Sequence, residues 1–84
     1  MSPDAIYQRL TDVLRDVFDD DSIVARPDLT ADQVAGWDSF AHLRVIFGVE
    51  KSCGVKFAAS QIAGLKNVGE LADLIGSKLA AEKA

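Results

Sequence analysis

Apolar residues recur at three- and four-residue spacing along three stretches of this chain, and this pattern limits the possible folds more than any other feature. In the first stretch, Ser2 and Pro3 form a typical helix start. The apolar residues that follow are Ile6, Leu10, Val13, Leu14, Val17 and Phe18. Their spacing predicts a helix of about four turns. Asp19-Asp20-Asp21 ends it, because aspartate competes for backbone hydrogen bonds and is unfavourable at a helix C-terminus.

The second stretch predicts a helix with two distinct faces. It begins at Asp38 or Ser39 and ends near Cys53, because Gly54 follows. A step of about 100° per residue places His42 and, toward the flank, Leu43 with the core residues Val45, Ile46, Val49 and Cys53. The opposite side carries a stripe of residues spaced i, i+4, i+7 and i+11, which are Phe40, Arg44, Phe47 and Lys51. We expect this stripe to bind partners, since a monomer's surface helix does not need two outward aromatic residues.

The remaining segments complete a small bundle. Residues 60–65 allow one short helix, and Asn67 with Glu70 resembles the capping box of a last helix. The apolar face of that helix is Val68, Leu71, Leu74, Ile75 and Leu79. Residues 19–38 form a long loop with a turn at Pro27-Asp28 and a short helical turn after Thr30. Its apolar anchors are Ile23, Val24, Leu29, Val34 and Trp37. The predicted fold is an all-α antiparallel bundle of three main helices plus one short helix, with a long ordered loop between helices 1 and 2.

Length and charge exclude several classes of protein. The 84 residues predict one small domain, residues 1–84. A net charge of −4 argues against a nucleic-acid partner. Nine acidic side chains against three arginines give residues 1–38 a charge of −6, whereas four acidic against six basic side chains give residues 39–84 a charge of +2. The acidity therefore lies in the first half of the chain.

Other features favour a monomer in the cytoplasm. No apolar run approaches the ~20 residues that a membrane-spanning helix needs, so we expect no membrane insertion. The N-terminal residues do not form a secretory signal, and a lone Cys53 cannot form an internal disulfide. Cys53 without a neighbouring ligand cluster predicts no metal site, and Asp19-Asp20-Asp21 lacks the ligand spacing of a calcium loop.

The segment Gly36-Trp37-Asp38-Ser39-Phe40 is the candidate functional site, because a polar loop meets the second helix there. Serine or aspartate at this point caps the first backbone N–H groups, and the helix dipole favours a negative group such as phosphate. Ser39 is therefore placed to carry an anion. On the residues alone, a role as a helix cap is the simpler interpretation. Trp37 either packs the loop onto the bundle or contacts a partner enzyme.

The sequence of this segment resembles the attachment motif of acyl and peptidyl carrier proteins, which is G-x-D-S followed by Leu, Ile or Phe. The resemblance extends over nearly the whole chain, including the long loop with Leu29, the Gly54-Val55-Lys56-Phe57 connector and the opening of the last helix at Asn67. It implies that Ser39 receives a covalent 4′-phosphopantetheine arm from coenzyme A, and that Asp38 is part of what the modifying enzyme recognises. From the residues alone, Asp38 is at least as well suited to cap the second helix, and the two roles are compatible. The arm would hold cargo as a thioester.

The same resemblance implies the partners and the absence of a catalytic site. A phosphopantetheinyl transferase would supply the base and metal for modification. A loading ligase or acyltransferase and downstream synthase or transferase enzymes would then handle the cargo, so the chain itself would not be an enzyme. The chain departs from fatty-acid-synthase carriers in its second helix, where Arg44, Lys51 and His42 outnumber the one acid, Glu50. This favours a dedicated polyketide, nonribosomal, aminoacyl or specialised lipid pathway.

Two other functions fit parts of the sequence. Asp38, Ser39 and His42 could form a Ser-His-Asp hydrolase, because His42 lies one turn beyond Ser39. However, the sequence has neither the G-x-S-x-G elbow of such hydrolases nor a recognisable oxyanion hole. His42 is better interpreted as half-buried at the mouth of the core. The chain could also be an unmodified helical adaptor that binds partners through Phe40 and Phe47.

Overall fold

The computed structural model describes the backbone of residues 2–83 and the side chains of residues 2–80; Met1 and Ala84, at the ends of the predicted domain, lie outside it. Four α-helices follow one another: α1 (Pro3–Phe18), α2 (Ser39–Cys53), α3 (Ala59–Ala63) and α4 (Val68–Lys83). A 3-10 helix, Ala31–Gln33, lies in the α1–α2 loop. The described residues contain no strand. The predicted all-α fold of three main helices and one short helix is confirmed.

The ends of α1 lie where the sequence predicts them. The Ser2 hydroxyl accepts a hydrogen bond from the Ala5 amide at 3.2 Å, and Pro3 takes the first helical position. Asp19 ends the helix in the left-handed conformation, with φ of 50°. The Asp20 carboxylate then accepts hydrogen bonds from the Ser22 amide and hydroxyl, and these bonds lower the pKa of Asp20. The acidic run therefore ends the helix and opens the loop.

The long α1–α2 loop is held to the helices by polar as well as apolar contacts. The Thr11 hydroxyl accepts a hydrogen bond from the Ala25 amide at 3.0 Å, and Arg15 donates to the Ile23 carbonyl at 2.9 Å. Of the predicted apolar anchors, Ile23, Leu29 and Val34 are buried and Trp37 is half-buried. Val24 is 50% exposed, so its prediction as an anchor is wrong; the loop turns this side chain toward solvent.

The start of α4 is joined to the same loop. The amides of Val68 and Gly69 donate to the carbonyls of Leu29 and Pro27 at 2.9 and 3.0 Å. A Cβ on Gly69 would lie only 2.7 Å from the Pro27 carbonyl oxygen, so this approach requires glycine. Asn67 accepts a hydrogen bond from the Glu70 amide at 2.8 Å, which confirms the predicted cap.

The second helix has the predicted bounds, but the third is displaced. Gly54 ends α2 with φ of 69°, as expected of a left-handed C-terminal cap. The prediction for the short helix, residues 60–65, is wrong by one or two residues at each end, because α3 spans Ala59–Ala63. Leu65 consequently lies beyond the helix, in the connection to α4.

The buried side chains come from the three long helices, from the loop between α1 and α2, and from the connector that follows α2. The largest fully buried ones are Leu10, Leu14, Val45, Ile46, Val49, Val55, Val68 and Ile75. Helices α1 and α2 approach closely at Gly48, where a Cβ would lie 2.9 Å from a methyl group of Val13. No helix in the described part of the chain is long and apolar enough to cross a membrane.

Candidate functional site

The junction between the loop and α2 begins with a turn that needs glycine. Gly36 has φ of +84°, a conformation that side chains rarely adopt, although an added Cβ would meet no atom within 4 Å. The Trp37 amide donates to the Val34 carbonyl at 3.3 Å, and the Asp38 amide donates to the Gly36 carbonyl at 3.0 Å. Backbone conformation, rather than lack of space, therefore selects glycine at this position.

Asp38, and not Ser39, caps helix α2. The Asp38 carboxylate accepts a hydrogen bond from the Ala41 amide at 2.9 Å, and its backbone carbonyl accepts from the His42 amide at 2.9 Å. Ser39 is the first helical residue and is exposed. The interpretation of Ser39 as the cap is wrong, because Asp38 has the extended backbone that places its side chain below the first turn. The Ser39 hydroxyl is thus left free of the capping bond.

The first turn of α2 is a favourable place for an anion. The first backbone amide that donates a hydrogen bond to Asp38 is that of Ala41. The amides of Ser39 and Phe40 come before it in the helix, where helix geometry gives them no acceptor within the helix. The aligned peptide dipoles add partial positive charge at this end. No acidic residue lies in the first turn itself. These are the conditions under which helix N-termini bind phosphate groups.

Trp37 and His42 form a hydrogen-bonded pair beside this turn. The indole Nε1 of Trp37 lies 3.2 Å from His42 Nδ1, and His42 Nε2 lies 3.4 Å from the Ile62 carbonyl oxygen. An indole N–H can only donate, so His42 Nδ1 accepts and Nε2 carries the proton. The Trp37 ring also packs on Phe18, with 5.3 Å between the ring centroids. Trp37 therefore packs the loop onto the bundle, which is one of the two roles expected of it.

This arrangement does not support Ser-His-Asp hydrolase chemistry. A general base needs a free nitrogen within hydrogen-bond reach of the serine hydroxyl. In His42, Nδ1 is occupied by Trp37, and Nε2 faces the Ile62 carbonyl. The Asp38 carboxylate, which would have to orient the imidazole, is bonded to the Ala41 amide instead. The three side chains are neighbours without forming a triad.

The outward stripe of α2 is exposed, as its spacing predicts. Phe40 and Phe47 are 80% and 61% exposed, and Arg44 and Lys51 are also on the surface. In the part of the chain that the structure describes, the one ion pair joins Arg26 and Asp28. Neither cation of the stripe is therefore paired with a described carboxylate. The buried face carries the predicted core residues, whereas Leu43 is 43% exposed and lies farther from the core than expected.

Leu43 belongs to an open cleft that the sequence did not reveal. The cleft has a volume of about 570 Å³ and opens beside Ser39. Its apolar walls come from the α1–α2 loop, α2, α3 and the connection after α3, and they include Trp37, Leu43 and Ile62. These residues are distant in the sequence or lie in short segments without a repeating pattern. The presence of Leu43 near the serine on the same helix is the one local sign of such a cleft.

Cys53 is buried in the core near the end of α2, which agrees with its predicted role as a small apolar residue. Burial raises the pKa of the Cys53 thiol, and the nearby positive charge of Arg9 offsets part of this effect. Among the described residues, no three His, Cys, Asp or Glu side chains are grouped closely enough to hold a metal ion.

Comparison with solved structures shows the family of this chain. It is similar to the holo acyl carrier protein from Geobacter metallireducens, whose structure was determined by solution NMR, with 41% sequence identity and a TM-score of 0.80. The match covers 95% of this chain and 87% of that protein. No family model and no curated protein matches the chain. The chain belongs to the acyl carrier protein family.

Family membership confirms the resemblance drawn from the GWDSF segment and the expected helical fold. Acyl carrier proteins are carriers and not catalysts, so the chain is a non-enzymatic carrier. Members of this family work with phosphopantetheinyl transferases and biosynthetic enzymes in general.

Proposed function

We propose that this protein carries an acyl, aminoacyl or polyketide intermediate as a thioester on a 4′-phosphopantetheine arm attached to Ser39. The observation that carries the proposal is the exposed Ser39 hydroxyl at the first position of α2, in a chain of the acyl carrier protein family. The transferase would supply the base and metal for modification. This chain then needs only a rigidly presented hydroxyl, which the Asp38 cap and the Gly36 turn provide.

The start of α2 is suited to the phosphodiester that would link the arm. The amides of Ser39 and Phe40 can donate to its oxygens, and the helix dipole stabilises its negative charge. We assign Asp38 two compatible roles, capping the helix and helping the transferase to recognise the site. Its capping bond directs one carboxylate oxygen to the Ala41 amide.

The outward stripe of α2 supports a docking role. We propose that Phe40, Arg44, Phe47 and Lys51 contact the transferase, a loading ligase or acyltransferase, and downstream synthase or transferase enzymes, with Trp37 at the edge of this surface. Apolar rings that alternate with cations, neither of which is paired with a described carboxylate, fit a partner face that combines apolar pockets with carboxylates. This charge pattern favours a dedicated polyketide, nonribosomal, aminoacyl or specialised lipid pathway over housekeeping fatty-acid synthesis.

The setting that we propose is a monomeric carrier domain, residues 1–84, in the cytoplasm. The buried free thiol of Cys53 is compatible with a reducing compartment. The alternative function is an unmodified adaptor that binds partners through the exposed Phe40 and Phe47 rings. The two functions differ at Ser39, since an adaptor does not need its hydroxyl.

Intact-protein mass spectrometry distinguishes them. The protein is incubated with coenzyme A, magnesium and a broad-specificity phosphopantetheinyl transferase, and we expect a mass gain of one phosphopantetheine group. Ser39→Ala should show no gain. Ser60→Ala is the matched control, because Ser60 is also an exposed serine in the first turn of a helix, and it should be modified like the wild type. Equal modification of Ser39→Ala, or none of the wild type, would refute the attachment site.

A further inference from the structure

The hydrogen bond between Trp37 and His42 lies where the α1–α2 loop meets three helices. The Trp37 ring packs on Phe18 of α1 and stacks on His42 of α2, with 6.1 Å between the centroids of the stacked rings. His42 Nε2 lies 3.4 Å from the Ile62 carbonyl oxygen of α3. The pair therefore connects the end of the loop, immediately before Ser39, with α1, α2 and α3.

This hydrogen bond forms only when His42 is neutral. The indole N–H of Trp37 can only donate, so His42 Nδ1 must offer a lone pair across the 3.2 Å separation. The Ile62 carbonyl oxygen then accepts from the N–H at Nε2. A protonated imidazole carries a hydrogen on both nitrogens, which would place two N–H groups against each other. Protonation of His42 therefore breaks its bond to Trp37.

Two charged side chains share cavity walls with His42 in the described part of the chain. Asp38 lines the open cleft with it, and Lys66 lines a second, smaller cavity with it. The carboxylate favours a protonated imidazole and the ammonium group opposes one. No charged side chain of α1, α3 or α4 belongs to these walls. The contact that distinguishes most directly between the two protonation states is thus the one with Trp37.

We propose that the Trp37–His42 pair is a pH-sensitive switch that holds Ser39 in position while His42 is neutral and frees the loop end when His42 takes up a proton. Histidine is the side chain whose charge ordinarily changes between about pH 5 and 8, and His42 is the one histidine of the chain. Trp37 lies between the Gly36 turn and the Asp38 cap, so its release loosens the backbone that presents the serine. The consequence for Ser39 rests on the proposed function, whereas the switch belongs to the unmodified protein.

The stability of the unmodified protein tests the switch without any arm. Because the folded state holds His42 neutral, the unfolded state binds more protons, and stability falls as the pH falls through the titration of His42. One such group changes the equilibrium constant for unfolding by at most about tenfold per pH unit. Urea unfolding is measured at about pH 7.0 and 5.5, where ordinary carboxylates stay mostly ionised.

We expect the equilibrium constant for unfolding of the wild type to rise about three- to tenfold more between these two pH values than that of two control variants. His42→Asn retains an acceptor for the indole N–H but cannot take up a proton. Trp37→Phe keeps a ring but removes the donor that opposes protonation of His42. A wild type that loses no more stability on acidification than these two variants would overturn the proposal.

A measurement on the wild type alone applies even if a variant does not fold. Trp37 is the one tryptophan of the chain, so a single indole N–H resonance reports on the bond to His42. On acidification from about pH 7.0 to 5.5, this resonance should move with the same midpoint as the ring-proton resonances of His42. An indole resonance that stays constant over this range would overturn the proposal.

The rate of modification by the transferase tests the consequence for Ser39. The wild type and His42→Asn are compared at each pH with the same transferase, so that the pH dependence of the enzyme cancels in the ratio of the two rates. We expect this ratio to fall in parallel with the change in the indole resonance of the wild type, and a constant ratio would refute the role of the pair in positioning Ser39. Absence of modification at every pH would count against Ser39 as the attachment site, and the indole resonance would still decide the switch.

Discussion

Truncation of two neighbouring residues of α2 tests which face of this helix is the core. Fully burying a phenylalanine side chain is worth about 1.5–3 kcal/mol. Phe47 remains 61% exposed, so Phe47→Ala removes less than half of that, about 1 kcal/mol or less. Ile46 is completely buried, and truncation of such a side chain to alanine costs about 2–5 kcal/mol, including the cavity left behind.

The two variants should therefore melt at clearly different temperatures. In a domain of this size, about 1 kcal/mol corresponds to a shift of about 4–8 °C. Phe47→Ala should lower the melting temperature by no more than about 8 °C, and the loss in Ile46→Ala should be at least about twice as large. Circular dichroism at 222 nm during heating measures both, with the wild type as reference.

The same pair separates docking from stability. If Phe47 anchors a partner, Phe47→Ala should slow modification by the transferase or loading by the cognate enzyme although the fold is intact, since buried aromatic anchors often dominate contact energies. A loss of stability in Phe47→Ala equal to that of Ile46→Ala would show that the faces of α2 are assigned the wrong way round. Unchanged modification and loading would remove Phe47 from the docking surface.

Two further predictions concern charge and the buried thiol. Arg44→Glu combined with Lys51→Glu should slow cognate loading on the order of tenfold at low salt. The control is Lys56→Glu combined with Lys66→Glu, which changes the net charge equally at exposed positions outside the stripe and should leave the loading rate unchanged. Equal loading rates for the two double variants would contradict docking through this stripe. Burial raises the pKa of Cys53 and so lowers the fraction of its thiolate at neutral pH. Iodoacetamide should therefore alkylate only the thiol of the arm in the native holo protein, which intact mass would show as one added group. Rapid alkylation of the native apo protein would refute the assignment of Cys53 as buried.

The sequence predicts the main helices well because their ends are marked by local chemistry. Ser2 and Pro3 at the start of α1, and Gly54 after α2, act through backbone geometry that depends on a few neighbouring residues. The short helix α3 has no repeating apolar pattern, so its bounds are less certain from sequence. At the α2 start, both Asp38 and Ser39 have suitable oxygens, and only the backbone conformation shows which one caps.

The parts of the site that depend on distant residues were not predictable. Trp37 and His42 are five residues apart, but their hydrogen bond depends on side-chain rotamers and on Phe18 packing behind the indole ring. The open cleft beside Ser39 arises where the α1–α2 loop, α2, α3 and the connection after α3 meet. Val24 and Leu43 illustrate the same limit, because the burial of a loop residue or a helix-flank residue is decided by the neighbouring elements.

The central claim is that Ser39 holds cargo through a thioester-bearing arm, and one mass-spectrometric experiment tests it most directly. The protein is loaded from butyryl-coenzyme A, treated with neutral hydroxylamine, and fragmented before and after treatment. We predict a butyryl-phosphopantetheine group located on Ser39, from which hydroxylamine removes the butyryl group but not the arm. Modification at another residue, or a butyryl group that resists hydroxylamine, would contradict the assignment.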